Sequence, residues 1–293
     1  MSYAEVNPEF LLQTVAGGIP TDERDKVVVI GSIATSWAFR GLMDNSAVMT
    51  KDIDAVLRPA KTAVVTARSI GEDWIKHGWK PHYPEGQERG TSTTPTDRLP
   101  AMRLIPPNAM AEWFVELLGE PYPDQAGRRE WQRFDTEFGS FALPAFRFMR
   151  VAIHNPALTE FGIRVATPAC MALAHLLEHA EPDTTRIRAT GEPRFYKDVG
   201  RAQALWWLAG REVESREGWP DAWLSALNDL FPDDQEAMLR QALKGLEQIR
   251  FYQGESLAIA ARSVLAPFPV TPESWQRAYD SLHGYISELM QSF

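Results

Sequence analysis

The sequence predicts an α+β fold, with an N-terminal mixed β-sheet core and its helices followed by a C-terminal helical domain. Up to about residue 165, short apolar runs rich in β-branched and aromatic residues alternate with a few amphipathic segments, which is typical of strands and the helices that cover them. From Pro168 onward, the pattern changes to longer segments with helical periodicity. We therefore expect two domains, 1–166 and 167–293.

The first domain is predicted to open with a helix over residues 7–15. The run Val27-Val28-Val29-Ile30 is typical of a buried strand, because β-branched residues fit a pleat that is covered on both faces. A helix should start at Gly31, and another over 61–76 should lie on the sheet. Further strands are expected at 50–57, 79–83, 101–105, 113–118, 140–143, 148–153 and 162–165, with a polar loop over 84–100 and irregular chain over 119–132.

The second domain is predicted to be all-helical. Thr167 is a plausible cap and Pro168 a plausible first helical residue, since proline has no N–H to lose there. The helices are expected at 169–180, 194–209, 221–230, 234–252, 256–265 and 272–290. Its core should be built by tryptophans at positions 206, 207, 219, 223 and 275.

Composition restricts the classes of function. The formal net charge of −9 argues against broad, non-specific DNA or RNA binding. The single cysteine, Cys170, excludes an internal disulfide framework and is typical of a reducing cytoplasm. The first residues lack the basic start and apolar core of a signal peptide, and no apolar stretch is long enough to span a membrane, so we expect a cytoplasmic protein without membrane partners.

The candidate phosphate-binding and metal-binding residues lie mainly between Val27 and Arg58. Gly31-Ser32 follows the buried strand and opens a helix, whose free N–H groups can hold a phosphate. If 50–57 is a strand, Asp52 and Asp54 point to the same face. Two adjacent carboxylates repel each other unless a cation lies between them, and hard ions such as Mg²⁺ bind such oxygens together with substrate phosphates.

Gly31-Ser32, a helix and then Asp52-Ile53-Asp54 resemble the signature of the DNA polymerase β-like nucleotidyltransferase superfamily. The motif Thr50-x-Asp-Ile-Asp-Ala-Val resembles that of the superfamily's AbiEii/AbiGii-type branch, which includes type IV toxin enzymes. The twenty positions between Ser32 and Asp52 depart from the superfamily's shorter spacing and imply an insertion around residues 43–48.

Glu116 is the expected third carboxylate. It is the only charge inside the apolar run Trp113–Leu118, and burying it is costly unless it is paired or metal-bound. Its place after the Asp-x-Asp strand, a helix and a loop matches the superfamily's third acid, which implies a metal-ligating and catalytic role. An exposed sheet edge is the alternative environment for this residue.

In the second domain, Lys197-Asp198 resembles the Lys-Asp element of the AbiEii-type family. The resemblance implies that Lys197 holds the triphosphate and that Asp198 orients it or assists as a base. The alternative is that Asp198 only stabilises the first turn of its helix. Arg186 and Arg188 lie in a polar loop and are expected to add phosphate contacts or to be simply solvated.

The resemblance implies a metal-dependent enzyme that transfers a nucleoside monophosphate from an NTP to a hydroxyl acceptor. Mg²⁺ or Mn²⁺ would be bound by Asp52, Asp54 and Glu116, with ATP, GTP or CTP as the nucleotide and a tRNA 3′ end or a protein side chain as acceptor. A toxin or phage-defence role, with a cognate antitoxin as partner, follows by analogy. The helical domain would complete the nucleotide and acceptor cleft.

Three other interpretations stay open. A drug-modifying nucleotidyltransferase would use the same chemistry, and a protein of the same fold could bind a partner without catalysis. The third is a zinc peptidase, because His175-Leu176-Leu177-Glu178-His179 matches the H-x-x-E-H pattern, in which two histidines four residues apart share a helical face.

Overall fold

The fold is α+β in the computed structural model, which describes residues 4–42, 48–50, 52–84, 86–107, 113–125, 127–180, 185–187, 191–211 and 216–292. The chain divides into two compact units, Met1–Ala34 with Ala47–Ala166, and Thr35–Ser46 with Thr167–Phe293. The first unit contains the named strands, and the second is built from helices. That 1–166 and 167–293 are separate domains stays a prediction.

A seven-stranded mixed sheet forms the centre of the first unit. The strands of the described chain are β1 (Ala4–Val6), β2 (Val27–Ile30), β3 (Val48–Thr50), β4 (Asp52–Leu57), β5 (Lys80–Pro81), β6 (Arg103–Ile105), β7 (Phe114–Gly119), β8 (Arg129–Thr136), β9 (Gly139–Phe146), β10 (Ala157–Leu158) and β11 (Arg164–Val165). The sheet order is β10-β11-β2-β4-β7-β6-β5, with β1 paired to β3 and β8 to β9 separately. Central strand β4 pairs antiparallel with β2 and parallel with β7.

The middle strands are apolar because both of their faces are covered. Val27, Val28 and Val29 of β2 are fully buried, as are Ile53 and the run from Ala55 to Leu57 in β4. Strands buried on two faces carry continuous apolar runs instead of alternating ones. The acidic residues of β4 and β7 interrupt these runs.

The described residues of the first unit form, wholly or partly, the α-helices α1 (Pro8–Gly18), α2 (Gly31–Ala38), α3 (Ala60–Lys76) and α4 (Met149–Ala152). The side chain of Asn7 caps α1 by accepting a hydrogen bond from the Phe10 backbone N–H at 3.0 Å. Helix α3 packs on β4 and β7. Its buried Trp74 donates from Nε1 to the backbone oxygen of Gly18 at 2.6 Å, which ties α3 to the end of α1.

The second unit contains the helices α5 (Pro168–Glu178), α6 (Arg194–Ala209), α7 (Trp219–Leu230), α8 (Gln235–Gln248), α9 (Gln253–Ala261) and α10 (Pro272–Met290). The five tryptophans predicted for its core are all buried, and Trp223 and Trp275 are the most enclosed. Each of these two donates from Nε1, Trp223 to the Ala169 carbonyl and Trp275 to Ser256 Oγ. None of the helices described here has both the length and the hydropathy that a bilayer crossing requires.

Several predicted elements differ from the structure, among them the helix expected over 256–265, which is Gln253–Ala261. Residues 148–153 contain the short helix α4 instead of a strand, because a short, mostly apolar run does not distinguish a buried helical turn from a strand. The segment 119–132, expected to be irregular, includes the end of β7 and the start of β8, whose mostly polar residues pair along the whole of β9. The helix expected over 234–252 ends at Gln248 and is followed by a 3₁₀ turn.

The strand expected over 50–57 is interrupted. Val48–Thr50 pairs with Ala4–Val6 as β3, and β4 begins at Asp52. Most of the insertion implied around residues 43–48 lies outside the described residues.

We predict that Gly245→Ala destabilises the second unit by about 2 kcal/mol, since a side chain forced into a packed core strains it. A Cβ at Gly245 in α8 would lie only 2.3 Å from the backbone oxygen of Leu176 in α5. Gly284 in α10 has nothing within 4 Å of such a Cβ, so Gly284→Ala should instead stabilise by up to about 1 kcal/mol. Urea unfolding followed by tryptophan fluorescence measures both, and equal stability of the two variants would contradict the packing.

Candidate active site

The end of β2 brings Gly31 against Asp54. Ile30 is the register partner of Asp54 in the antiparallel pair of β2 and β4. Gly31 follows with φ +74°, a left-handed conformation that disfavours a side chain. A Cβ on this glycine would stand 3.2 Å from Asp54 Oδ2. The Asp54 carboxylate therefore lies beside the first residue of α2, where helical N–H groups lack intrahelical acceptors.

The parallel pair of β4 and β7 places Glu116 next to Asp54. The two residues are direct register partners, as are Asp52 and Phe114. Because side chains alternate along each strand, all four point to one face of the sheet. Asp52 is exposed at the start of β4, Asp54 is half-buried and Glu116 is 8% exposed. The structure thus brings Gly31, Asp52, Asp54 and Glu116 to one region, with Ser32 one residue further along α2.

Glu116 is paired with a residue that the sequence reasoning did not select. Arg103 lies directly opposite Glu116 in the antiparallel pair of β6 and β7. Its Nε donates to Glu116 Oε2 at 2.8 Å. The available signal was that Arg103 is the only charge in the run Ala101–Ile105, as Glu116 is in its own run. Opposite charges isolated in two adjacent apolar strands favour a cross-strand pair.

The Arg103 side chain also lies near an aromatic pair, Phe114 and His82. Its guanidinium carbon lies 5.7 Å from the centroid of the Phe114 ring. The His82 ring stacks on Phe114 at 4.7 Å between centroids, and the His82 backbone N–H donates to the Arg103 carbonyl at 2.8 Å. The Arg103 guanidinium therefore lies near the Phe114 ring as well as the Glu116 carboxylate.

The residues on this face fit a hard divalent cation by their chemistry, since carboxylate oxygens are the ligands that Mg²⁺ and Mn²⁺ prefer. The ligand set is not assembled as it stands. No three His, Cys, Asp or Glu side chains of the described chain are close enough to hold one metal ion together. Asp52 and Asp54 supply two carboxylates, and the Oε2 oxygen of Glu116 is engaged by Arg103.

In the second unit, Asp198 is a buried charge with two partners. It is 5% exposed, and its Oδ2 lies 2.8 Å from His179 Nε2 and 3.2 Å from Arg194 Nε. Burial by itself would raise the pKa of Asp198, but the hydrogen bond with His179 and the charge of Arg194 outweigh it and hold the pKa well below its ordinary value. The carboxylate is therefore ionised, and a role for Asp198 as a base stays a prediction.

The H-x-x-E-H segment takes part in this cluster and gives no support to a zinc peptidase. His175 lies on α5, and His179 directly follows that helix and directs Nε2 to Asp198. The other ring nitrogen of His179, Nδ1, is buried without a hydrogen-bond partner among the described residues. Burial lowers the pKa of His175 to about 3 against the opposing effect of Asp198, so this histidine is neutral.

The remaining predicted phosphate ligands are in or before α6. Lys197 is half-buried in the first turns of that helix. Arg186 donates from Nη1 to the Gly191 carbonyl at 2.8 Å and forms an isolated bridge with Pro193. Arg188 lies outside the described residues. Their roles toward a triphosphate stay predictions.

We predict that Asp198→Asn lowers the free energy of unfolding by about 2 kcal/mol or more, because His179 and Arg194 lose a charged acceptor in a buried site. Asp233→Asn, in an exposed turn before α8, is the control and should change stability by less than about 0.5 kcal/mol. Urea denaturation at neutral pH measures the difference. A loss no greater than that of the control would contradict a structural role for the cluster.

We also predict that acid destabilises the protein through His175. Because its folded pKa lies below the unfolded value of about 6.5, only the unfolded chain takes up this proton as the pH falls from 6.5 toward 3. The His175 contribution is therefore complete above pH 6.5 and should fall by about 1.4 kcal/mol between pH 7.5 and 5.5. His175→Gln should remove that part of the pH dependence in urea titrations, whereas His77→Gln, at an exposed position, should leave it unchanged.

Comparisons with known proteins yield one weak structural similarity. The chain matches no family model, and no curated protein matches it significantly. A crystal structure of an antigenic nucleotidyltransferase-like protein from Paracoccidioides brasiliensis is similar over 81% of this chain and 94% of that one, with 12% identity and a TM-score of 0.36. Similarity at this level does not establish a shared fold, so the functional assignment rests on the geometry of the carboxylate face.

Proposed function

We propose that the chain is a metal-dependent nucleotidyltransferase that transfers a nucleoside monophosphate from an NTP to a hydroxyl group and releases pyrophosphate. One observation carries the proposal: Asp54 lies between the Gly31 turn at the start of α2 and Glu116, its register partner on β7. A phosphate-binding helix start beside carboxylates on one sheet face is suited to phosphoryl chemistry.

Each group has a defined task in this proposal. Gly31 and Ser32 present backbone N–H groups, and Ser32 a hydroxyl, to the terminal phosphates. Asp52 and Asp54 hold Mg²⁺ or Mn²⁺, which would neutralise phosphoryl charge and lower the pKa of the attacking hydroxyl. Glu116 favours removal of the hydroxyl proton, and Lys197 contributes positive charge toward the triphosphate. The gain in rate comes from positioning and from electrostatic stabilisation of the transition state.

The acceptor and the biological setting follow from the sequence resemblance. We propose a tRNA 3′ end or a protein side chain as acceptor, within a toxin or phage-defence system that has a cognate antitoxin. A net charge of −9 is compatible with local recognition of an RNA end and disfavours a broad nucleic-acid platform.

A second candidate is a protein of the same fold that binds a partner without catalysis. The observation in its favour is the Arg103–Glu116 ion pair, which neutralises the third carboxylate from within the chain. The same transfer experiment distinguishes the two candidates.

We predict label transfer when the protein is incubated with Mg²⁺ and the correct labelled NTP, either with total tRNA or with the protein alone. Asp54→Asn should reduce the rate at least about 100-fold, because it removes a charged ligand beside the phosphate turn. Asp97→Asn, in an exposed 3₁₀ turn of the same unit, is the matched control and should retain full activity.

The transfer experiment distinguishes the two candidate functions by its outcome. Transfer by the wild type that is lost in Asp54→Asn and kept in Asp97→Asn supports the enzyme and identifies its acceptor. No transfer with any NTP and acceptor, or full activity of Asp54→Asn, would favour the non-catalytic candidate.

A further inference from the structure

Arg103 occupies the place where a cation would otherwise compensate Glu116. Across three adjacent strands, Asp54, Glu116 and Arg103 are successive register partners, so the order of charges on this face is minus, minus, plus. Arg103 Nε is 2.8 Å from Glu116 Oε2, and the carboxylate is almost fully enclosed. A charge-assisted hydrogen bond in such a site is strong, and it takes up one of the two Glu116 oxygens, Oε2, while Arg103 compensates the charge that would attract a metal ion.

This pair opens by exchange of one cation for another at the carboxylate. A guanidinium stays protonated at every physiological pH, so only another cation can take its place at the carboxylate. The pairing of β6 with β7 keeps Arg103 opposite Glu116, and the Phe114 ring centroid lies 5.7 Å from its guanidinium carbon. A divalent ion that binds Glu116 must therefore displace Arg103, which the chain keeps at a high local concentration beside the carboxylate.

Resting on the proposed function, we propose that Arg103 competes with the divalent metal ion for Glu116, so that the third carboxylate becomes a metal ligand only when its ion pair with Arg103 opens. In the protein without nucleotide, the binding of free metal ions is weakened by this exchange. Arg103 is thus a positioning residue that sets the metal affinity of the site.

Titration with Mn²⁺ alone, followed by electron paramagnetic resonance of the free ion, tests the competition without any activity assay. Arg103→Gln should bind Mn²⁺ about tenfold more tightly than the wild type, because Glu116 is then available as a ligand. Arg98→Gln removes the same charge from an exposed turn of the same unit and should leave the affinity unchanged. Far-UV circular dichroism verifies that each variant is folded.

A second comparison separates competition for the ligand from simple charge repulsion. In a Glu116→Gln background the contested ligand is absent, so adding Arg103→Gln should tighten Mn²⁺ binding by no more than about twofold. An equal gain in both backgrounds would mean that Arg103 acts only through its charge, and would overturn the proposal. If Arg103→Gln does not fold, Arg103→Lys takes its place, with a gain of about threefold expected because lysine loses the planar fork.

The proposal and the proposed function fail in different ways. Mn²⁺ binding by the wild type that Arg103→Gln leaves unchanged would overturn the competition and leave the metal-dependent enzyme intact. No Mn²⁺ binding by the wild type or by any variant would overturn the competition, whereas the proposed function is overturned only by failure of the transfer experiment.

Discussion

The position of β4 between β2 and β7 is the constraint on which the candidate site depends. Its antiparallel ladder with β2 sets Asp54 opposite Ile30 and hence beside the Gly31 turn, while its parallel ladder with β7 sets Asp54 opposite Glu116. Backbone hydrogen bonds therefore fix the carboxylates, and no side-chain contact between them is needed. The apolar runs of these strands provide the burial that holds the ladders together.

Both units contain an enclosed carboxylate, and both compensate it with basic partners. In the first unit Glu116 is paired with Arg103, and in the second Asp198 is paired with His179 and Arg194. An enclosed charge without such partners would cost several kcal/mol. The two clusters differ in setting: Glu116 shares a sheet face with Asp52 and Asp54, whereas Asp198 lies on a helix of the tryptophan-rich core.

Sequence reasoning predicted the long, strongly periodic elements well and the short pairings poorly. Helices α6 and α10 begin and end at the expected residues, because their amphipathic patterns are long and proline precedes or opens each of them. The pairs of β1 with β3 and of β10 with β11 were missed, since two- or three-residue strands carry no period. The ion-pair partners of Glu116 and Asp198 were also not predicted, because these contacts depend on which distant segments of the chain lie next to each other.

The ladder between β4 and β7 also makes the first unit unequally tolerant of changes in chain length. Deleting a single residue within Phe114–Gly119 would move Val115 or Leu117 onto the carboxylate face. It would also rotate Glu116 toward the apolar layer on the opposite face of the sheet. The described residues of the polar segment 84–100 form no ladder of this kind and pair with the sheet strands only through the isolated bridge of Gly90 with Ser140. Insertions and deletions in relatives of this chain should therefore accumulate in that segment and be absent from the two central strands.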